Sequence, residues 1–278
     1  MTPIALRTAV ALACLLPLAA QASEHCTHSA PRSLQLDLAG VRTVQLETAQ
    51  HTLRLDGRAG SAHAITGRAC AARADWLPQL TLAQEKRGDT LIVRARRDGQ
   101  ASGFSLGDTH AYLDLSGSVP EGVAVRLSMG SGDVLLAGIA SLDATVGSGD
   151  LDARNVRGPV KAGVGSGDIV IDGATRLDVG SIGSGDLTAR NIAGAVEVGS
   201  VGSGDFRLSS ARGDVKVGTL GSGDVTLSAV TGSVDVGSIG SGDLKVTDVG
   251  GKLTVRAVGS GDVEHRDIRG GTDLPRKR

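Results

Sequence analysis

The chain has 278 residues, with 29 Lys and Arg against 30 Asp and Glu, and a formal net charge of −1. That balance gives no electrostatic case for nucleic acid as a partner. Hydrophobic residues reach 40% but aromatics only 1%, so a core can form from Val, Leu, Ile and Ala in thin layers, without the large rings on which enzyme cores usually draw.

Residues 1–22 read as a secretory signal: Arg7, an apolar stretch from Val10 to Leu18, then Ala20-Gln21-Ala22 as a small-x-small cleavage site. The apolar run is short for a membrane span. A lipoprotein reading through Ala11-Leu12-Ala13-Cys14 fits less well, because it leaves Leu15-Leu16 at the mature start. The chain is therefore expected to be exported, to the periplasm or the cell surface, with no transmembrane segment after cleavage. Removal of Cys14 leaves Cys26 and Cys70, an even pair in an oxidising compartment, and a disulfide between them is expected to tie the new N-terminus to the first sheet. Cleavage after Ala22 would also give Ser23-Glu24-His25, whose free amine, amides and third-position histidine suit square-planar Cu(II) or Ni(II). A third-position histidine arises often by chance, which is the favoured reading, and neither a metal site nor a cofactor is assigned.

Residues 23–127 read as a β-rich N-terminal capping region of irregular spacing. Leu34–Leu38, Val44–Glu47 and Leu53–Asp56 alternate apolar and polar residues, the period of half-buried strands. Leu80–Leu82 and Leu91–Arg94 flank the turn Lys86-Arg87-Gly88-Asp89 and predict a hairpin. Residues 98–110 predict a Gly- and Ser-rich loop. Tyr112–Leu115 and Val123–Leu127 flank a second turn, Val119-Pro120-Glu121-Gly122. No stretch after the signal carries a helical period.

From residue 128 to 263 the spacing becomes regular. Gly-Ser-Gly-Asp occurs eight times, with aspartates at Asp133, Asp150, Asp168, Asp186, Asp205, Asp224, Asp243 and Asp262. A fixed short period means one supersecondary unit stacked on copies of itself. Numbering each unit from the residue after its aspartate, apolar residues fall at places 1, 3, 6, 10, 12 and 15. That pattern is two period-2 strands per unit, each followed by a turn. Place 1 holds Leu187, Phe206, Val225 and Leu244, and place 12 holds Val198, Val217, Val236 and Val255. The expected fold is all-β: a β-solenoid, or single-stranded β-helix, with strands stacked ~4.8 Å apart. The shorter early units are expected to lose residues at turns. Residues 264–278 break the pattern and read as a tail that caps or frays. Bare solenoid ends are sheet edges, so a repeat domain without its flanks is expected to polymerise.

Place 11 carries Asp143, Lys161, Asp178, Glu197, Lys216, Asp235 and Thr254, mostly alternating in sign, and reads as a solvated face tuned for stacking. The two tetrad glycines read as suppliers of turn angles. Eight stacked aspartates repel by roughly 0.9 kcal/mol per neighbour in water and about 3–4 kcal/mol at an effective dielectric of 20. Either turn N–H groups and serine hydroxyls compensate them, which makes a structural turn ladder, or a row of calcium ions does. Calcium-binding β-rolls repeat Gly-Gly-x-Gly-x-Asp-x-apolar-x every nine residues. Here the second glycine-aspartate turn is missing, which favours the ladder.

The repeated Gly-Ser-Gly-Asp-apolar-x-apolar unit, preceded by Val119-Pro120-Glu121-Gly122, resembles exported bacterial proteins with β-strand repeats called putative adhesins, related to the head domains of putative auto-transporter adhesins. The resemblance is close over 128–263 and loose over 34–127. It implies an exported β-solenoid with an adhesive role and carries over no catalytic residues. The first reading is a non-enzymatic binding, adhesion or envelope-scaffold protein, whose partner is a protein or polysaccharide of the cell envelope or surface. The alternatives are a calcium-stabilised surface protein and a polysaccharide-active β-helix enzyme. For the enzyme, Ser131 to Ser260 repeat with no paired histidine, and the carboxylates lie one per unit instead of converging.

Overall fold

The computed structural model describes residues 26–60, 62–99 and 110–275. The signal segment, His25, residues 100–109 of the expected loop and the last three residues lie outside the described residues. The described residues form two twelve-stranded sheets, A and B, around one aliphatic core.

Each repeat gives one strand to sheet A and one to sheet B. Leu187–Ile192 lies in sheet A and Val196–Val201 in sheet B. Each strand pairs in parallel with its counterpart one unit on, so Leu187 meets Phe206, Phe206 meets Val225, and Val225 meets Leu244. The place 12 valines stack in the same way in sheet B. Phe206 is fully buried, and Val198, Val217, Val236 and Val255 are at most 3% exposed. A unit alone would leave six such side chains half wet. Stacking buries them, at roughly 1.5–3 kcal/mol for each large aliphatic residue.

Place 5 breaks the alternation in sheet A and turns the chain so that place 6 faces inward again. It has a left-handed backbone in every unit, and the residue varies: Gly138, Asn155, Gly173, Asn191, Ser210, Ala229, Asp248 and Asp267. Asn and Asp tolerate this region. Ser210 and Ala229 bear its cost, of order 1 kcal/mol each.

The change in unit length is only partly a matter of turns. One added residue lies in the corner at Arg157-Gly158-Pro159, where the previous unit has Ala140-Ser141. The other forms a β-bulge inside sheet B. Ala162 pairs with Val179 but Val164 pairs with Ile182, so Gly163 opposes both Gly180 and Ser181. This corrects the expectation that length changes are confined to turns. A bulge absorbs one residue without moving the inward places.

The N-terminal region contains β1 (His28–Gln35), β2 (Thr43–Thr48), β3 (Thr52–Arg58), β4 (Ala64–Ala71), β5 (Leu80–Arg87), β6 (Thr90–Arg97), β7 (Ala111–Pro120) and β8 (Ala124–Met129). β5 and β6 form the expected antiparallel hairpin. β1 begins earlier than expected, and β4 was not legible from alternation. A six-residue 3₁₀ segment, Ala74–Gln79, also departs from the all-strand expectation. β2 and β3 already form a solenoid rung. β8 and the next strand, β9 (Asp133–Ala137), lie on one side of that rung, and β6 and β7 lie on the other. The chain thus builds a rung, leaves it to build the layer beneath, and returns to continue above.

β1 and β4 close sheet A by antiparallel pairing. Side chains then tie β1 and its neighbours to the edge of sheet B. Arg32 donates to the carbonyls of Leu77 and Leu80 at 2.6 and 2.9 Å, and Gln84 Nε2 donates to the Gln35 carbonyl at 2.8 Å. Cys26 and Cys70 form a disulfide with their Cα atoms 5.4 Å apart. Cys70 is fully buried in β4, so the bridge fastens the start of the described chain to the closing strands.

Candidate functional site

The tetrads line one corner of the solenoid. In each, the serine is exposed and the second glycine is buried. The Ser203 amide donates to the Gly183 carbonyl at 2.8 Å, and the Gly204 amide shares that acceptor at 3.0 Å. The same pair of bonds recurs from turn to turn. None of the tetrad glycines has a left-handed backbone. Their reason is proximity instead: a Cβ on Gly204 would overlap the Gly185 carbonyl, and one on Gly223 the Gly204 carbonyl. The expectation that these glycines supply special turn angles is corrected by this finding. Successive corners approach too closely for any side chain at the second position.

The aspartates are joined from one unit to the next. The Asp168 amide donates to Asp150 Oδ1 at 3.1 Å, and the Asp186 amide to Asp168 Oδ1 at 3.1 Å. Asp205 follows on Asp186 at 2.9 Å, Asp224 on Asp205 at 2.9 Å, Asp243 on Asp224 at 3.0 Å and Asp262 on Asp243 at 2.8 Å. At the lower end the Asp150 amide donates to the Gly132 carbonyl at 3.1 Å, so Asp133 stands below the ladder. Each carboxylate from Asp150 to Asp243 therefore accepts from the backbone of the next unit, not from its own turn. A charge-assisted bond of this kind offsets part of the repulsion between stacked carboxylates. Arg207 adds counter-charge in mid-column, reaching Asp186 at 3.2 Å and Asp205 at 2.6 Å.

Among the described residues no group of three or more His, Cys, Asp or Glu is arranged to hold a metal ion. The ladder itself gives a clean test. Asp224 has no ion pair among those described, and its Oδ1 accepts the Asp243 amide. Asp224→Asn keeps that acceptor oxygen and should leave stability within about 0.5 kcal/mol, whereas Asp224→Ala should cost about 1 kcal/mol. Urea melts of the two variants measure this. Equal losses for Asn and Ala would mean that the charge matters, as it would for a cation.

The outer face of sheet B carries the place 11 column in register, with Asp143 beside Lys161, Lys161 beside Asp178 and Glu197 beside Lys216. Next to it runs a shallow trough floored by Gly163 and Gly180 and walled by Lys161, Asp178 and Ser181. The serines expected as the weak nucleophile candidates sit in the corner spine described above, spread along the column like the aspartates. The only tryptophan, Trp76, lies on the 3₁₀ segment under the Arg97 guanidinium, 4.6 Å from the ring centre. This packs the cap and had no signal in the sequence beyond the residue itself.

Sequence reasoning missed His51. It sits in the corner between β2 and β3, in the place that the second tetrad glycine takes one rung on, and is 1% exposed. Its Nδ1 accepts the Leu113 amide of β7 at 3.2 Å. Its Nε2 is buried without a hydrogen-bond partner. Burial pushes its pKa from 6.5 down to about 4, against a smaller opposing effect from the Gln50 backbone. No helix among the described residues is long and apolar enough to cross a membrane.

Residues 160–266 match the family described as putative auto-transporter adhesin, head GIN domain. That segment bears out the resemblance read from the tetrads. No curated protein matches the chain. Among solved structures, a putative adhesin from Parabacteroides merdae aligns with 12% identity and a TM-score of 0.57, over 86% of this chain and 97% of its own. A putative lipid binding protein from Parabacteroides distasonis aligns with 13% identity and a TM-score of 0.52, over 88% of this chain and 97% of its own. At these identities the likeness speaks to the fold.

Proposed function

We propose that the protein is an exported, non-enzymatic solenoid that binds an extended protein or polysaccharide at the cell envelope or surface, as an adhesin or scaffold. The observation that carries this reading is the repetition of the surface itself. The corner ladder presents the same Gly-Ser-Gly-Asp chemistry at every turn, and the outer face of sheet B sets charged residues of both signs beside it in register, which suits many weak contacts with a long partner. Catalysis instead needs unlike groups converging at one place. The name of the P. distasonis relative raises lipid as a ligand. Here the space between the sheets is filled by side chains such as Leu187, Phe206 and Val217, at most 2% exposed, so a ligand is assigned to the outer faces.

The deciding measurement is digestion by an external protease on intact cells, followed by blotting. Digestion is expected for an adhesin, and binding to immobilised matrix proteins and glycans would then be assayed. Protection until the outer membrane is opened would replace adhesion with a periplasmic scaffold role. If a single aspartate substitution abolished hydrolysis of a polysaccharide, the non-enzymatic reading would fail.

A further inference from the structure

The two ends of the stack are built differently. At the N-terminal end the cap pairs and bridges both sheet edges. At the C-terminal end, among the described residues, the last strand of sheet A, Val263–Ile268, pairs only with Leu244–Val249, and sheet B ends on the two-residue strand Thr272–Asp273. The Val263–Ile268 strand runs through the expected break at residue 264, so the solenoid geometry outlasts the tetrad pattern.

The register shows what changes in this last rung. His265 pairs with Val246, which continues the buried column Ala189, Leu208, Leu227 and Val246. Thr272 pairs with Leu253, which continues the buried column Val196, Val215, Val234 and Leu253. Both columns are aliphatic in the four preceding units. At the terminal rung alone they turn polar, once in each sheet. His265 is exposed, and Thr272 is exposed with it. Around them Glu264, Arg266, Asp267 and Arg269 make the edge charged, and Lys245–Glu264 and Arg269–Asp248 tie those charges back to the rung below.

An open parallel edge with inward aliphatic columns is a template for another rung. The nearest matching template in solution is the same end of a second copy, whose two edges carry the same spacing. Docking the two ends would bury His265 and Thr272 against their counterparts, where neither ring nitrogen nor hydroxyl has an assured partner. We infer that the last rung is a built terminator, with His265 and Thr272 as the two polar plugs that prevent tail-to-tail association of this chain.

The test uses the full mature chain and measures mass by sedimentation velocity between about 5 and 200 μM, a span that brackets typical weak association. The native protein is expected to be monomeric. The double variant His265→Val, Thr272→Leu is expected to dimerise with at least a tenfold gain in association constant. His265→Lys, Thr272→Lys is the control for folding and is expected to remain monomeric with an unchanged far-UV spectrum. A double variant that keeps the native spectrum and stays monomeric throughout would overturn the inference, as would a native protein that already associates through this end. If the Val/Leu variant were misfolded, His265→Val alone would be measured by the same criteria.

Discussion

Gly204→Ala should be among the most damaging single changes in the protein, lowering stability by about 3 kcal/mol or more. The added Cβ meets the Gly185 carbonyl, a backbone atom that cannot rotate away, and the Gly204 carbonyl in turn faces the corner of the next unit. Relief would need the corner to open and would lengthen the shared bonds from Ser203 and Gly204 to Gly183. The control lies on sheet B. A Cβ on Gly180 meets nothing within 4 Å, so Gly180→Ala should change stability by less than about 0.5 kcal/mol. Urea denaturation of the two variants checks the contrast. Similar losses at both positions would mean that backbone freedom, not close approach, selects glycine in these units.

Acid should weaken the junction between cap and stack through His51. In the folded protein its pKa lies near 4 because burial disfavours the imidazolium, against 6.5 for an unperturbed ring. The unfolded chain therefore takes up this proton first, and the stability supplied by a neutral buried His51 is fully present above about pH 6.5. It is lost progressively as the pH falls to about 4, where the loss reaches about 3 kcal/mol. Geometry points the same way, since a protonated Nδ1 could no longer accept the Leu113 amide. His51→Asn keeps an acceptor without the titration. The variant should be less stable at pH 7, yet its urea midpoint should fall less steeply between pH 6.5 and 4. Parallel curves for the two proteins would show that His51 does not carry the acid sensitivity.

The repeat half was legible because its information is local. Six apolar places per unit give the strands, and a period near 19 leaves stacking as the way to bury them. The tetrad aspartates were legible as a column, but their acceptor role was not. The donor to Asp205 is the amide of Asp224, which is near only once the register is known. Glycine was read for its angles when its cause was the carbonyl of the unit before. β4 escaped because Ala64–Ala71 has Gly67 where alternation would place an apolar residue, and then buries Ala69, Cys70 and Ala71 in a row. The ordering of the first rungs escaped for a different reason. Nothing in Thr43–Arg58 announces that the strands on either side of it come from much later in the chain.

That detour concentrates entropy. Each repeat finds its neighbour about twenty residues away, whereas Leu53 of the first rung pairs with Val134 about eighty residues on, a separation whose closure costs roughly 1 kcal/mol more than a repeat's on loop length alone. The larger penalty is that several long closures between residues 26 and 137 must succeed together before the first rung, Thr43–Arg58, has both neighbours. The repeats need none of them: each turn adds to its neighbour's edge at the same small closure cost. The repeats can thus nucleate on their own and the N-terminal half closes onto them last, while His265 and Thr272 mark the opposite end of the stack.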